Sequence, residues 1–177
     1  MDAGFCLFDT ALGRCGLAWS ARGLVAVSFP ESSDEATRAR LVRASGAAER
    51  APSPRAQDAI ARIRDLIDGR AATLDAIALD ESGAPDFERA VYAACRAIPA
   101  GYTRTYGDLA KAIGDPHAAR AVGVALGRNP CPIVTPCHRV VAAGGGTGGF
   151  SAPGGVRTKL RLLEIERAAF GPRDLFS

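Results

Sequence analysis

The sequence predicts an α/β (α+β) protein built in two parts. Strand-like apolar runs crowd the first 30 residues, and helical stripes fill much of the remainder. Between them Asp80-Glu81-Ser82-Gly83-Ala84-Pro85 has the composition of a linker. Residues 1–82 are then expected to form an N-terminal α/β domain and residues 86–177 a second domain. A chain of 177 residues is long enough for two small cores.

Each element has a local reason. Cys6–Thr10 and Gly16–Trp19 flank a turn containing Gly13, and Leu24–Phe29 is an apolar run rich in β-branched valine; all three read as strands. Asp34–Ala44 is polar and favours helix. Gly46–Pro54 is a loop of small residues with two prolines. Ala56–Asp68 places Ile60, Ile63, Leu66 and Ile67 on one helical stripe, ended by Gly69. Leu74–Leu79 reads as one more strand. Beyond the linker, Phe87–Ile98 carries Phe87, Val91, Ala94, Cys95 and Ile98 on one helical face, and Pro99-Ala100-Gly101 stops it. Thr105 with Asp108 three residues on forms the capping pair of a short helix. Asp115-Pro116 predicts an N-cap and first turn for a helix over about 117–126, after a tight turn at Gly114. These two short helices make a helix-turn-helix outline. A last helix is expected over 156–168.

Composition narrows the function classes. No apolar run approaches the roughly 20 residues needed to cross a bilayer, and Met1-Asp2-Ala3-Gly4 lacks the basic start of a signal peptide. A cytoplasmic protein with no membrane association is expected. Five cysteines, an odd count without regular spacing, fit free thiols in a reducing compartment, and with only His117 and His138 available no metal site is expected. Residues 86–177 hold 12 Lys+Arg against 7 Asp+Glu, a net of +5, whereas residues 1–85 hold 10 against 12. The basic part agrees with phosphate contact.

That basic part also holds Pro136-Cys137-His138-Arg139-Val140, a thiol beside an imidazole. A cysteine is a strong nucleophile only as thiolate, and a nearby base supplies that form. Around it stand Arg104-Thr105-Tyr106-Gly107-Asp108, Ala119-Arg120-Ala121-Val122-Gly123, Gly127-Arg128-Asn129-Pro130, Gly149-Phe150-Ser151 and Lys159-Leu160-Arg161-Leu162-Leu163-Glu164-Ile165-Glu166. In this order the segments closely resemble the O6-alkylguanine-DNA alkyltransferases, which take an alkyl group from guanine onto their own cysteine. The specific resemblance covers about residues 86–168; residues 1–85 are similar only in layout and in phrases such as Leu17-Ala18-Trp19-Ser20-Ala21-Arg22-Gly23-Leu24-Val25.

The resemblance implies an N-terminal domain like ribonuclease H and a C-terminal winged-helix-like, helix-turn-helix domain. It implies single-turnover transfer of methyl or larger alkyl groups from O6-alkylguanine in double-stranded DNA to Cys137, with O4-alkylthymine as a lesser substrate. No cofactor is implied, and a monomer is expected. His138 would draw the thiol proton through a bridging water, and Glu166 would fix its tautomer. Together they are expected to bring the thiol below its free pKa of about 8.5. Asn129 would brace the cysteine segment, and the Tyr106 hydroxyl would meet the flipped guanine at N3. Val140, Gly148, Phe150 and Ser151 would line the base pocket, Ser151 donating toward O6. Arg120 would fill the place of the extruded nucleotide, with Ala121 and Gly123 letting the helix lie close in the minor groove.

Two departures stand out. Phe150 replaces a tyrosine common among relatives, and Ser151-Ala152-Pro153-Gly154-Gly155 is longer than the matching loop of some of them. Three rival readings stay in view. A non-catalytic damage binder would lack the cysteine, a Cys-His-Glu hydrolase leaves Arg120 without a task, and a methylation-sensing regulator would carry a fused domain.

Overall fold

The computed structural model describes residues 2–168. They divide into two compact units, one of residues up to Gly83 together with Pro130–Val134, the other of Ala84–Asn129 and the residues from Thr135 on. The units are therefore not contiguous in sequence: a five-residue piece from the second half returns to the first. The Val27 amide donates to the Pro130 carbonyl at 2.9 Å, within the first unit.

The first unit is an antiparallel meander of β1 (Gly4–Thr10), β2 (Gly13–Trp19) and β3 (Leu24–Ser28), in that spatial order. Thr10 pairs with Gly13, so only Ala11 and Leu12 make the first turn, and Gly13 takes φ 115° to close it. Helix α1 (Asp34–Ser45) lies on this sheet. Its Leu41 is fully buried, and a Cβ on Gly16 would come within 2.6 Å of a Leu41 methyl. Only glycine in β2 admits a helix that close. Ser33 caps α1, and Ser53 caps α2 (Pro54–Ile67), each hydroxyl accepting from the amide three residues on. The α2 stripe of Ile60, Ile63, Leu66 and Ile67 is buried, as its 3.6-residue spacing requires.

One expected strand is absent. Leu74–Leu79 holds a turn, with the Ile77 amide donating to the Leu74 carbonyl at 3.1 Å, and meets the sheet in an isolated bridge between Leu24 and Leu79. Leu74 and Ile77 are buried, so the run is apolar to fill the core and not to form a ladder. The linker is also anchored: Asp80 accepts from Ser20 at 2.6 Å and from Arg22 at 3.1 Å. The Ser20 and Ser82 hydroxyls hold its carboxyl well below the usual range.

The second unit is helical. It contains α3 (Asp86–Arg96), α4 (Tyr106–Ala112), α5 (Ala119–Gly127) and α6 (Val156–Ile165), with a two-residue parallel pair of β4 (Arg104–Thr105) and β5 (Val140–Val141). Val91, Tyr92, Cys95, Leu109, Val122, Leu126 and Val140 share its core. The buried Tyr92 hydroxyl donates to the Ala125 carbonyl at 3.0 Å and fastens α3 to α5. The capping box at α4 is complete: Thr105 accepts from the Asp108 amide and Asp108 accepts from the Thr105 amide. Helix α5 begins later than its sequence signal. Asp115 accepts from the His117 amide at 3.3 Å and its carbonyl accepts from Ala118, so the residues after Pro116 form a turn. Ala118 then stands at the N-cap without a side-chain bond. Helix α6 ends at Ile165, three residues short of the expected limit. Among the described residues no helix is long and apolar enough to cross a membrane.

Candidate active site

Cys137 opens a single 3₁₀ turn, Cys137–Arg139, between Pro136 and β5. The turn is closed by the Arg139 amide on the Pro136 carbonyl at 2.9 Å. With three residues per turn, successive side chains leave it in different directions. Cys137 stays partly accessible while His138 and Arg139 are buried.

The imidazole meets α6. His138 Nε2 lies 2.9 Å from Glu166 Oε1, and the two side chains are 0% and 2% exposed. Arg139 reaches the same carboxylate with Nη2 at 2.7 Å from Oε1 and Nε at 3.0 Å from Oε2, while its Nη1 donates to the Ile98 carbonyl at 2.6 Å. Glu166 caps the end of α6, seven residues beyond Lys159, where the helix delivers it back toward the cysteine turn. Burial works against its charge. The hydrogen bonds from His138 and Arg139 outweigh burial and hold its pKa down at about 2. Burial lowers the pKa of His138, against the pull of Glu166, so the resting imidazole is neutral. An ionised carboxylate only accepts, so the proton sits on Nε2 and Nδ1 keeps its lone pair. Nδ1 is buried and has no hydrogen-bond partner. The site therefore contains an oriented, unengaged base.

The thiol does not follow expectation. Burial pushes the Cys137 pKa up, ahead of the lowering effects of the Asn129 side chain, Lys159 and the nearby backbone amides. A thiol below its free value is corrected to a neutral thiol at rest. Asn129 also donates from Nδ2 to the Thr135 carbonyl at 2.9 Å, bracing the segment that leads into the turn.

Tyr106, the first residue of α4, is half-buried beside this turn. Burial and then the Cys137 charge raise its pKa, so its hydroxyl stays a donor. A Cβ on Gly148 would fall 2.6 Å from that hydroxyl, and Gly148 has φ 70°, so glycine is required twice over. Gly123 of α5 faces the same ring at ordinary contact distance. Val140 is buried, Phe150 is half-buried and Ser151 is exposed. The Ser151 hydroxyl is engaged, donating to the Gly127 carbonyl at 3.1 Å. Arg120 and Ala121 lie exposed on α5, on the same face as Val124 and opposite buried Val122, Ala125 and Leu126. Arg120 makes no ion pair among the described residues.

Residues 86–168 match the family model for the DNA-binding domain of 6-O-methylguanine DNA methyltransferase. Nearly the whole chain aligns with the crystal structure of the Mycobacterium tuberculosis O6-methylguanine methyltransferase, at 33% identity and a TM-score of 0.74, covering 98% of this chain and 97% of that one. The chain belongs to the O6-methylguanine-DNA methyltransferase family. Another M. tuberculosis structure, of OGT in complex with DNA, aligns at 32% identity with a TM-score of 0.74 over 93% of this chain and 92% of that one. The methylated-DNA–protein-cysteine methyltransferase of M. tuberculosis is 49% identical over 90 residues, 51% of this chain and 53% of the relative. That match spans about half the length of the curated relative.

Within this methyltransferase-family chain, sequence reasoning assigned no role to Arg139 or Lys159. Arg139 was visible only as part of the cysteine motif, because its partners Ile98 and Glu166 are 41 and 27 residues away. Lys159 carried a faint signal: it is one of two lysines beside twenty arginines. It is fully buried, with Nζ 2.5 Å from the Val140 carbonyl and 3.2 Å from that of Gly149. The other four cysteines are all buried.

Proposed function

We propose that this chain repairs DNA by moving a methyl or larger alkyl group from guanine O6 to Cys137, irreversibly and once per molecule. The observation that carries the reading is the buried His138 with Nε2 committed to Glu166 and Nδ1 unengaged. In the reaction the Cys137 proton passes to Nδ1 through a water, and the sulfur attacks the alkyl carbon. The S–C bond forms as the C–O6 bond breaks, and the electron pair goes to the guanine. Tyr106 offers its hydroxyl at N3, and the proton taken from the thiol ends on the departing base. Glu166 stabilises the imidazolium while it exists. The thiol and imidazole are both neutral at rest, so at neutral pH the charge separation belongs to the reaction itself.

The thioether has no leaving group that water can displace under mild conditions, so each molecule acts once. Arg120 and the small residue Ala121 occupy the exposed face of α5, and Gly123 leaves room beside Tyr106, as a helix that enters a minor groove and props open an extruded nucleotide requires. Val140, Gly148, Phe150 and Ser151 form the pocket for that base, with Ser151 exchanging the Gly127 carbonyl for guanine O6. O4-alkylthymine is the lesser substrate. The protein acts as a cytoplasmic monomer on double-stranded DNA.

Intact-mass analysis after incubation with a duplex containing O6-methylguanine tests this. One methyl group per protein, on the peptide containing Cys137, is expected. Repeated turnover, or acyl hydrolysis without methyl uptake, would overturn it in favour of a cysteine hydrolase.

A further inference from the structure

Lysine is almost never fully buried unless its charge is paired. Lys159, on the inner face of α6, is 0% exposed, and among the described residues it makes no ion pair with a carboxylate. Its ammonium is met by two carbonyl oxygens, those of Val140 and Gly149, and by the face of the Tyr106 ring, whose centroid lies 5.9 Å away. A methionine fills the same space without a buried charge, so a cation here needs an anion that the site makes for itself. The candidate anion is Cys137, whose 3₁₀ turn ends at Val140, the residue whose carbonyl holds the ammonium, and the Lys159 charge favours the thiolate there.

We propose that Lys159 is a positioning residue for the thiol: its buried ammonium joins the carbonyls of Val140 and Gly149 and provides the positive charge that stabilises the Cys137 thiolate at neutral pH. The inference rests on Cys137 being the alkyl acceptor, as argued above. The geometry ties three functional pieces to one atom. Val140 follows the cysteine turn, Gly149 adjoins the glycine that seats the Tyr106 hydroxyl, and Tyr106 itself lies under the ammonium. His138 is a poor substitute for this charge, since it is neutral at rest and carries a proton only after the thiol has given it up.

The groups facing Lys159 set its titration. Cys95 from α3 and Cys137 from the 3₁₀ turn favour its charge, while burial opposes it and places its pKa at about 8. The charge of Lys159 lowers His138, as does that of Arg139. Tyr106 from α4 stays neutral, and Glu166 at the end of α6 is engaged by His138 and Arg139. With a depressed pKa, the ammonium is present at neutral pH and disappears as the pH rises through about 8.

The test pairs two measurements on the full chain and on Lys159→Met and Lys159→Arg. Cys137 ionisation is followed by thiolate absorbance against a Cys137→Ser background, without DNA. Single-turnover methyl transfer from an O6-methylguanine duplex is followed between about pH 6.5 and 9.5. Lys159→Met is expected to ionise its thiol at higher pH and to be about tenfold or more slower at neutral pH, since one pKa unit is tenfold in thiolate. That gap should close toward pH 9, where the wild-type lysine has lost its own charge. Lys159→Arg, whose cation does not titrate, is expected to recover part of the neutral-pH rate. Loss by the same factor at every pH with thiol ionisation unmoved would reduce Lys159 to packing and overturn the proposal. If Lys159→Met does not fold, the wild-type profile decides: levelling or decline above about pH 8 supports the role, and an uninterrupted rise overturns it. If Lys159→Met shifts the thiol ionisation but the wild type takes up no methyl, the proposed function fails while the effect of Lys159 on the thiol stands.

Discussion

His138 Nε2 and Glu166 Oε1 stand 2.9 Å apart in a space closed to solvent, and this single pairing fixes which imidazole nitrogen keeps its lone pair. Arg139 grips the same carboxylate through a two-pronged contact, so Glu166 remains ionised whatever the histidine does.

Glu166→Gln removes the anion from both partners. Breaking a buried pair leaves Arg139 uncompensated, which costs about 3–5 kcal/mol. A loss of that size in chemical denaturation is expected, along with slower methyl transfer at neutral pH. The rate should recover partly at higher pH, where thiolate forms unaided. A pH–rate profile identical to that of the wild type would remove His138 and Glu166 from thiol activation.

Acid stability follows from the same pair. Both pKa values are depressed on folding, so each group contributes stability above its unfolded pKa and loses it as the pH falls toward the folded one. The His138 contribution should begin to fall below about pH 6.5, and that of Glu166 should decline between about 4.3 and its folded value. Denaturation midpoints measured from pH 7 down to 3 are expected to drop in both ranges. In Glu166→Gln the lower drop should shrink.

Gly148→Ala tests the seat of Tyr106. The added methyl would lie 2.6 Å from the tyrosine hydroxyl, and φ of 70° strains any L side chain. Either the loop or the ring must shift. Transfer is expected to slow by roughly tenfold or more, since small misplacements of a reacting group are costly. Tyr106→Phe, which loses the donor without moving the loop, should slow transfer yet leave binding of undamaged duplex unchanged. Identical rates for wild type and both variants would take Tyr106 out of the reaction.

Arg120→Ala separates extrusion from chemistry. Flipping a base costs a few kcal/mol, so losses of roughly tenfold to several hundredfold are expected on duplex DNA. Transfer from free O6-benzylguanine and the ionisation of Cys137 should hardly change. A mispaired lesion should suffer less than a paired one. Equal losses on free base and duplex would mean that Arg120 supports the pocket instead.

The sequence by itself determined what depends on neighbours along the chain. The three strands and the turn at Gly13, the α2 stripe and the Thr105–Asp108 capping box all follow from spacing and short-range hydrogen bonds. The Cys137-His138 pair was legible because the motif is contiguous, and Glu166 because a resemblance named it. Tertiary structure decided the rest. Leu74–Leu79 became a buried turn because filling a core needs apolar residues as much as a ladder does. Helix α5 started late because Asp115 spent its side chain on a turn. Whether the thiol is ionised, which histidine nitrogen is free, and what Arg139 and Lys159 do all depend on burial and on partners 19 to 41 residues away. Desolvation and long-range charge act through space, and one chain read in order carries no distances.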